Sequence, residues 1–355
     1  MAATWRAKQQ ILILGGTHFL GPAVVRAALA KGHQLTLFNR GKTNPQLFPE
    51  VEKLHGQRRR PRPGRPADKQ DPPQDLTALA DRKWDAVVDT SGFYTGEVED
   101  MCKVLAGNVR QYVYVSSLSV YKDLEANNKP VDEASPLCEC ADKYTQDMGK
   151  EFANYGALKR YCEEAAAAAF PRTATLVRPG YIVGPDDDSG RFAYWPARLR
   201  DGGECLAPGA QDNDLQFIDV NDLGEWIVHT IEAGIAGTFN AVGFARPLTT
   251  GEFLAAAVAA LKSECTLTWV DDAFLQAHEI GAWEQLPCWT PKEKNGHTSN
   301  QKMVAAGAKF RPIADTIRAT DEWLQQQKTG LPVGKNLTRA QERELLAAWR
   351  KQKNG

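Results

Sequence analysis

The amino-acid sequence predicts an α/β fold built around a doubly wound parallel sheet, with a smaller C-terminal lobe. Four consecutive aliphatic residues at 11–14 are typical of a fully buried strand. Segments with helical apolar periodicity then alternate with further short buried strands, a pattern that favours parallel strands with helices on both faces. With 355 residues, the chain is long enough for this sheet and a second lobe.

The turn after the first strand predicts that the sheet is of the Rossmann type and binds a dinucleotide. Glycines follow the strand at once, Pro22 suits a first helical turn, and Gly32 suits the end of that helix. Such a turn can hold a pyrophosphate, because glycine admits the phosphates and the helix dipole favours their charge. An ordinary strand-to-helix turn is the alternative. The cofactor-binding residues predicted here are Gly15, Thr17, His18, Phe19, Leu20 and Gly21.

The end of the second strand favours NADP over NAD as the cofactor. An NAD site places an acidic residue there to bind the ribose 2′-hydroxyl. This chain instead has Asn39, followed by Arg40 and Lys42. Arg40 can pair with a 2′-phosphate and stack on adenine, whereas an acid would repel that phosphate. NADP is therefore preferred, NAD stays open, and a solvated basic turn is the alternative.

A stretch rich in arginine and proline follows at 57–74. Prolines and charges this dense do not pack a core, so we expect a flexible, loosely held basic loop on the surface. Such a patch could contact RNA, but no aromatic residue stands between its arginines to stack on bases. The sequence therefore favours a solvated loop, and nucleic acid is not the expected partner.

Later strands also end in small polar residues, and these predict more of the cofactor site. Thr90, Ser91 and Gly92 follow one buried strand, and Ser117 follows the next. Ligands of a doubly wound sheet bind at the carboxyl ends of its strands. We therefore expect Thr90, Ser91 and Gly92 to contact the cofactor, together with Pro179, which ends a further strand.

A helix predicted over 151–169 carries a candidate acid–base pair. Tyr155 and Lys159 are four residues apart, so they lie on the same helix face. A neighbouring ammonium favours the phenolate and would lower the pKa of Tyr155 from its reference value of about 10. Tyr155 would then serve as a general acid or base near neutral pH. An ordinary helix surface is the alternative.

The remaining chain predicts a smaller substrate-binding lobe. Residues 191–216 are rich in Trp, Pro and Gly and break the alternation of strands and helices. Asp186-Asp187-Asp188 is typical of a charged surface turn, with no second group that would complete a metal site. The predicted organisation is a cofactor domain at 8–180 to which residues near 215–245 return, a substrate-binding lobe at 181–214 and 246–330, and a helical tail at 331–355.

Composition and charge narrow the class of protein. The formal net charge of −1 argues against bulk attraction to nucleic acid or membranes, and no apolar run reaches transmembrane length. Seven cysteines without CxxC spacing suggest reduced thiols in a cytoplasm. Cys138 and Cys140 form a CxC pair, but no neighbouring ligand completes a zinc site, so no metal is predicted.

The order of these motifs resembles that of the extended short-chain dehydrogenase/reductases, the NAD-dependent epimerase/dehydratase group, from Ile11 to about Ile317. The resemblance implies that Tyr155 donates or accepts a proton and that Ser117 bonds the substrate oxygen. It implies that Lys159 binds the nicotinamide ribose and lowers the pKa of Tyr155. The implied activity is hydride transfer by an oxidoreductase or epimerase acting on a carbinol or ketone, including a sugar. The implied assembly is a homodimer packed through helices near Tyr155.

The chain departs from the pattern of this group at several positions. His18 replaces the middle glycine of the turn, a variant of atypical members that include proteins resembling the chloroplast stem-loop-binding RNA proteins. Gln57 replaces an acid near adenine. Tyr181 and Leu215 replace an Asn and an Arg of nucleotide-sugar enzymes, and this disfavours a diphosphate, which needs charge-assisted donors. The alternative function is a non-catalytic, cofactor-sensing or RNA-binding protein on the same fold.

Overall fold

The computed structural model describes residues 8–62, 66, 68, 70–122, 124, 130–294, 296–327 and 335–354. Its strands are β1 (Gln10–Leu14), β2 (Gln34–Asn39), β3 (Glu52–His55), β4 (Trp84–Asp89), β5 (Val109–Val115), β6 (Ala174–Pro179), β7 (Ile182–Val183), β8 (Gly203–Pro208), β9 (Asp214–Leu215), β10 (Ile218–Asp219), β11 (Gly237–Ala241), β12 (Leu248–Thr249) and β13 (Cys265–Val270). Its helices are α1 (Leu20–Ala30), α2 (Thr95–Leu105), α3 (Tyr155–Ala169), α4 (Tyr194–Arg200), α5 (Val220–Ala233), α6 (Thr250–Leu261), α7 (Asp272–Ala277), α8 (Gln301–Ala305), α9 (Ile313–Gln326) and α10 (Arg339–Asn354). Within these ranges, no helix combines the length and the apolar character needed to cross a membrane.

In the described part of the chain, seven parallel strands form the central sheet in the order β11-β6-β5-β4-β1-β2-β3. The order reverses at β1, because the chain continues to β2 and β3 on one side and to β4, β5 and β6 on the other. Ligands of such sheets bind at this reversal, outside the carboxyl ends of the strands. The predicted Rossmann-type, doubly wound parallel sheet is confirmed.

Helices cover both faces of the sheet. On one face α1 and α5 pack together over a core that includes Val24 and Leu223. On the other face α2 and α3 pack together over a core that includes Met101. The approach of α1 to α5 depends on Gly224, because a Cβ at that position would lie 2.9 Å from the carbonyl carbon of Ala23. These four helices fix the strand ends that line the candidate site.

A second core lies in the C-terminal half of the chain. There β8 and β13 form a parallel pair, and α4, α6 and α9 pack together. The buried ring of Phe253 contacts the rings of Phe192, Trp195 and Phe217, with centroids 5.8 to 6.0 Å apart. Edge-to-face aromatic packing of this kind stabilises a core beyond the area that it buries. This second core therefore stabilises the C-terminal half of the chain.

Helix α10 joins this second core through a buried ion pair. Nε of Arg198 donates to both carboxylate oxygens of Glu342, at 2.9 and 2.7 Å, and both side chains are almost fully buried. The backbone N–H of Leu206 donates to the same carboxylate at 2.9 Å. Helix α10 therefore buries a carboxylate whose hydrogen bonds are satisfied by Arg198 and the Leu206 N–H.

The basic stretch at 57–74 is partly built into the fold. Arg58 is only 8% exposed, and its guanidinium donates to both carboxylate oxygens of Asp89, at 2.6 and 2.9 Å. Arg60 forms a similar bidentate pair with Asp100 on α2. The expectation of a solvated loop is wrong for these two arginines, because acids on β4 and α2 pair with them. Residues 63–65, 67 and 69 of the predicted loop lie outside the described residues.

Candidate active site

The glycine turn closes tightly after β1 and opens onto a cavity. Gly15 and Gly16 have φ values of 112° and 90°, a region that favours glycine. A Cβ on Gly21 would lie 2.7 Å from the backbone of Gly16, so α1 can begin directly beside the turn only with glycine there. Residues 15–20 line a cavity of about 480 Å³ at the point where the strand order reverses. The cavity therefore lies where a dinucleotide fold binds its ligand.

This cavity gathers most of the residues predicted to bind the cofactor. Its lining includes Gly15, Thr17, His18, Phe19, Leu20, Asn39, Arg40, Lys42, Thr90, Ser91, Lys159 and Pro179. Gly21 and Gly92 are exceptions, because the lining does not include them. Gly21 packs against the turn, as described above, and the Gly92 carbonyl accepts hydrogen bonds from Tyr114 and Lys159, at 2.9 and 2.8 Å. Both glycines therefore pack behind the wall of the cavity and do not line it.

Arg40, Lys42 and Arg59 line the part of the cavity next to β2 and β3, beside the buried Arg58. Asn39 holds this part together, since its amide donates to the Gly15 carbonyl at 3.1 Å and its oxygen accepts from the Gly41 N–H at 2.8 Å. Arg40 and Lys42 are exposed, and Arg59 is half-buried. No local sequence pattern predicts Arg59 at the cofactor site. The parallel pairing of β3 with β2 puts it there, because both strands end at the same edge of the sheet.

Ser117, Tyr155 and Lys159 lie together at the other part of the cavity. Their proximity depends on Gly156, since a Cβ there would lie 2.0 Å from the Ser119 carbonyl oxygen. The start of α3 therefore contacts the turn that follows β5. Ser117 adopts an extended conformation before this turn, and its hydroxyl accepts from the N–H of Ser119 at 3.1 Å.

The ionisation of this trio differs from the sequence expectation. Burial raises the pKa of Tyr155, and the hydrogen bond with Ser117 opposes the increase. The ammonium of Lys159 donates to the carbonyls of Gly92 and Val115, at 2.8 and 2.7 Å, and Lys159 is not among the groups that shift the pKa of Tyr155. Burial also lowers the pKa of Lys159 to about 8. The expected lowering of the pKa of Tyr155 is thus wrong, because burial raises it.

A buried ion pair supports the cavity from below. Arg58 contacts Asp89 at the end of β4 and also donates to the Ser91 hydroxyl at 2.9 Å. The hydroxyl of Tyr112 donates to Asp89 at 2.7 Å. Burial alone would raise the pKa of Asp89, but the charge and hydrogen bonds of Arg58 outweigh burial and hold that pKa below its usual range. The pair ties the segment after β3 to the segment after β4, and both segments line the cavity.

A second cavity of about 800 Å³ adjoins the first. Ser117 and Tyr155 line both cavities, together with Phe19. Apolar side chains of the second cavity include Leu124, Met148, Phe152, Tyr181, Leu215 and Trp283. The arrangement places the candidate acid–base group where the two spaces meet, so a ligand in each could contact it.

The acidic turn at 186–188 borders this second cavity and is not simply a surface turn. Asp186 pairs with Arg26 on α1, and Asp188 pairs with His18, each at 3.1 Å. Asp187 is 5% exposed, and burial raises its pKa while hydrogen bonds with Ser189 oppose the increase. The surface expectation is wrong for Asp187, because the neighbouring segments cover it.

A glycine turn at the strand reversal is typical of a dinucleotide-binding α/β protein, and Ser117, Tyr155 and Lys159 line the same cavity. The comparison of sequences gives the family. Residues 11–241 match the model of the NAD dependent epimerase/dehydratase family, and the chain belongs to that family. Membership in this family supports NAD(P) binding.

The sequence identity between this chain and individual relatives is low. The chain is 27% identical over 230 residues to the "Chloroplast stem-loop binding protein of 41 kDa b, chloroplastic" of Arabidopsis thaliana, a match that covers 61% of this chain and 53% of that protein. This chain therefore spans about half the length of that curated relative. Among solved structures, the UDP-N-acetylglucosamine 4-epimerase of Methanobrevibacter ruminantium has a TM-score of 0.62 at 15% identity, covering 90% of this chain and 99% of its own. The Bordetella bronchiseptica enzyme WbmH, solved with NAD+, has a TM-score of 0.58 at 16% identity and the same coverage.

Proposed function

We propose that this protein is an NADP(H)-dependent oxidoreductase or epimerase that acts on a carbinol or ketone of a sugar-like small molecule. The observation that carries the proposal is the position of Ser117 and Tyr155, which line both cavities. A cofactor in the first cavity and a substrate in the second would then meet at the Tyr155 hydroxyl. When bound, the nicotinamide supplies or accepts the hydride.

The chain's own residues take three roles in this proposal. Tyr155 holds its proton, because burial raises its pKa, and it donates that proton to the substrate oxygen during reduction. Ser117 donates a hydrogen bond to the same oxygen and keeps it in line with Tyr155. Lys159 lies behind them on carbonyls of the β4 and β5 segments, where its ammonium can reach a ribose hydroxyl.

The preference for NADP rests on Arg40, Lys42 and Arg59. These three cations line the part of the cavity where the second and third strands end. A 2′-phosphate carries negative charge there, and guanidinium groups bind phosphate in a bidentate way. Asn39 stands where an acid would exclude that phosphate.

A sugar-type substrate fits the family and its solved relatives. One of them is a UDP-N-acetylglucosamine 4-epimerase, and another was solved with NAD+. Leu215 argues against a nucleotide-sugar substrate for this chain, because it is apolar and buried at the position of the arginine that the family resemblance implies. The proposal therefore keeps the sugar and the carbinol chemistry without the nucleotide.

The first experiment is titration of the purified protein with NADPH and with NADH, followed by energy transfer from tryptophan. We expect saturation with NADPH at lower concentration than with NADH, and we expect Arg40→Ala to remove this preference. Arg246→Ala is the matched control, because Arg246 is an exposed arginine paired with Glu252 in the C-terminal half. Tighter binding of NADH would contradict the NADP proposal, and binding of neither by folded protein would contradict the enzyme proposal.

A second candidate function is RNA binding without turnover. The name of the Arabidopsis relative supports it, as does the His18 variant of the glycine turn. The ion pairs of Arg58 and Arg60 weaken it, because these charges already have carboxylate partners. Its test is stem-loop RNA binding as a function of salt, which must fall steeply with ionic strength if phosphate contacts drive it.

The homodimeric assembly and the cytoplasmic location of this protein stay predictions. The homodimer is implied by the family resemblance, and sedimentation of the full chain tests it. The cytoplasmic location rests on the seven cysteines, all of which are free thiols.

A further inference from the structure

One side chain of the second cavity is arranged to recognise an anion. Arg191 lines this cavity and does not line the cofactor cavity. Its guanidinium lies over the ring of Tyr181, 5.5 Å from the centroid. Tyr181 in turn stacks on Trp283, with centroids 3.8 Å apart and an angle of 12°. Because Trp283 covers one face of Tyr181, the guanidinium occupies the other.

The turn that carries Arg191 is held by its own hydrogen bonds. The N–H of Ser189 donates to Asp187 at 3.0 Å, and the N–H of Arg191 donates to the Ser189 hydroxyl at 3.3 Å. Asn336 donates to the carbonyl of Gly190 at 3.0 Å. An arginine on a fixed turn and an aromatic support loses less entropy when it binds a planar anion.

In the described part of the chain, the lining of the second cavity carries three carboxylates and two cations, and the charge of Arg191 acts to lower the pKa of Asp187. Two of the three carboxylates that line the cavity have partners already described, since Asp188 pairs with His18 and Asp187 accepts from the Ser189 N–H. The third, Asp214, is also engaged. Among the described residues, the ion pairs within 4 Å include neither Arg191 nor Lys294, the second cation of the lining. Arg191 therefore has no direct ion pair among these residues, and its guanidinium can contact a ligand in the cavity.

From this arrangement we infer that the substrate carries a carboxylate or phosphate monoester, and that Arg191 binds this group with Lys294 as a second positive charge. The inference rests on the proposed function, which takes this cavity as the substrate site. A nucleotide is disfavoured, because a base cannot stack on Tyr181 when both of its faces are occupied. The substrate class is an anionic sugar or polyol without a nucleoside.

The test is calorimetric titration of the full chain with four probes, in the presence and absence of NADPH. The probes are glucuronate, glucose 6-phosphate, glucose and UDP. We expect the better anionic sugar to bind about tenfold or more tightly than glucose, because a charge-assisted contact is worth at least that factor. Glucuronate and glucose 6-phosphate separate a carboxylate from a phosphate as the recognised group.

Arg191→Gln is expected to abolish the preference for the anionic sugar, and Arg191→Lys to keep part of it. Arg246→Gln serves as the matched control, because Arg246 is exposed and lies outside both cavity linings. Equal binding of anionic and neutral sugars, an absence of sugar binding, or a preference that survives Arg191→Gln would each overturn the inference. Tighter binding of UDP than of either anionic sugar would overturn it in favour of a nucleotide.

These outcomes are distinct from failure of the proposed function. NADPH binding is measured on the same samples, and Arg191 does not line the cofactor cavity. A protein that binds the anionic sugar through Arg191 but does not bind NADPH or NADH would support the anion site and contradict the enzyme proposal. Normal NADPH binding without any preference for an anionic sugar would contradict the anion site and leave the enzyme proposal standing.

Discussion

The two adjoining cavities are built in different ways. The first cavity, proposed above as the cofactor cavity, is lined largely by the segments that follow β1, β2, β3, β4 and β5, which parallel pairing brings to one edge of the sheet. The second cavity, proposed above as the substrate cavity, is lined mainly by side chains from 118–119 and 124, 148–155, 181–191, 214–216 and 282–294, with Val242 and with Phe19, Phe93 and Pro179, which also line the first. No single sheet aligns these segments. Backbone geometry therefore fixes the first cavity, whereas packing between distant segments fixes the second.

The two cavities also use arginine differently. Arg58, beneath the cofactor cavity, is buried against Asp89 and connects two strand ends. Arg191, in the substrate cavity, is exposed and rests on an aromatic ring. The first arginine is part of the fold, and the second is available to a ligand. Substitutions can test whether the cavities are separable in this way.

The largest expected effect comes from Tyr155→Phe, at the boundary of the two cavities. Loss of a positioned general acid typically costs about 10²- to 10⁴-fold in turnover. We expect this loss in the oxidation of NADPH with any substrate found by screening, and an almost unchanged dissociation constant for NADPH. The reason is that the substitution removes one hydroxyl and keeps the ring.

Ser117→Ala is the companion variant, with a smaller loss of turnover expected because Tyr155 still supplies the proton. If Tyr155→Phe keeps full turnover, the assigned chemistry is wrong. If it weakens NADPH binding as strongly as it slows turnover, the two cavities do not act as separate binding spaces.

The second-largest expected effect is on the free energy of unfolding, and it compares Arg58 with Arg191. Arg58→Met leaves Asp89 buried without its cation, which typically costs about 3 to 5 kcal/mol. Arg191→Gln removes an exposed charge and should change the free energy of unfolding by about 0.5 kcal/mol or less. Urea unfolding of both variants measures the difference.

Addition of Asp89→Asn to Arg58→Met is the control for this mechanism. Asparagine removes the buried charge and keeps an acceptor for the Tyr112 hydroxyl. Part of the lost stability should therefore return in the double variant. A similar small loss for Arg58→Met and Arg191→Gln would show that the contrast between the cavities is wrong.

The contrast explains what the sequence could predict. The strand at 11–14 and the glycine turn are local patterns, so the sheet, its reversal and the lining at 15–20 follow from short segments. The burial of Arg58 depends on Asp89, which is 31 positions further along the chain. A stretch of arginines and prolines gives no local signal of such a partner, and the expectation of a solvated loop is therefore wrong for Arg58 and Arg60.

The ionisation of the trio was missed for a similar reason. Helical spacing placed Tyr155 and Lys159 on one face, but it did not reveal the two carbonyls that accept from the ammonium. Those carbonyls belong to segments after β4 and within β5. The Arg191–Tyr181–Trp283 stack joins three parts of the chain and likewise has no local pattern.

A third prediction concerns pH and tests the burial of Lys159. Its pKa is about 8 in the folded protein and about 10.4 in an unfolded chain. Below pH 8 the lysine is charged in both states, and the folded state bears the full cost of burying the charge. Between about pH 8 and 10.4 the unfolded state binds more protons, so stability rises with pH, by up to about 3 kcal/mol.

The measurement is the free energy of unfolding of the wild type minus that of Lys159→Met, from pH 7 to pH 10.5. The subtraction removes the contribution of groups that titrate in both proteins. We expect this difference to increase with pH across the stated window. Parallel curves would mean that Lys159 is not desolvated, and the cofactor side would then be more open than the contacts with Gly92 and Val115 indicate.

The smallest expected effect concerns a contact between the two regions. Arg26 on α1 pairs with Asp186 in the turn beside the substrate cavity, at 3.1 Å, and both side chains are well exposed. Such pairs typically contribute about 0.2 to 1 kcal/mol and weaken with salt. Arg26→Gln should therefore lower the free energy of unfolding by less than about 1 kcal/mol in dilute buffer, and by less again in 1 M salt. A loss that is large and independent of salt would mean that the glycine-turn helix and the acidic turn form one structural unit, so that the cofactor cavity depends on the distant segments as well.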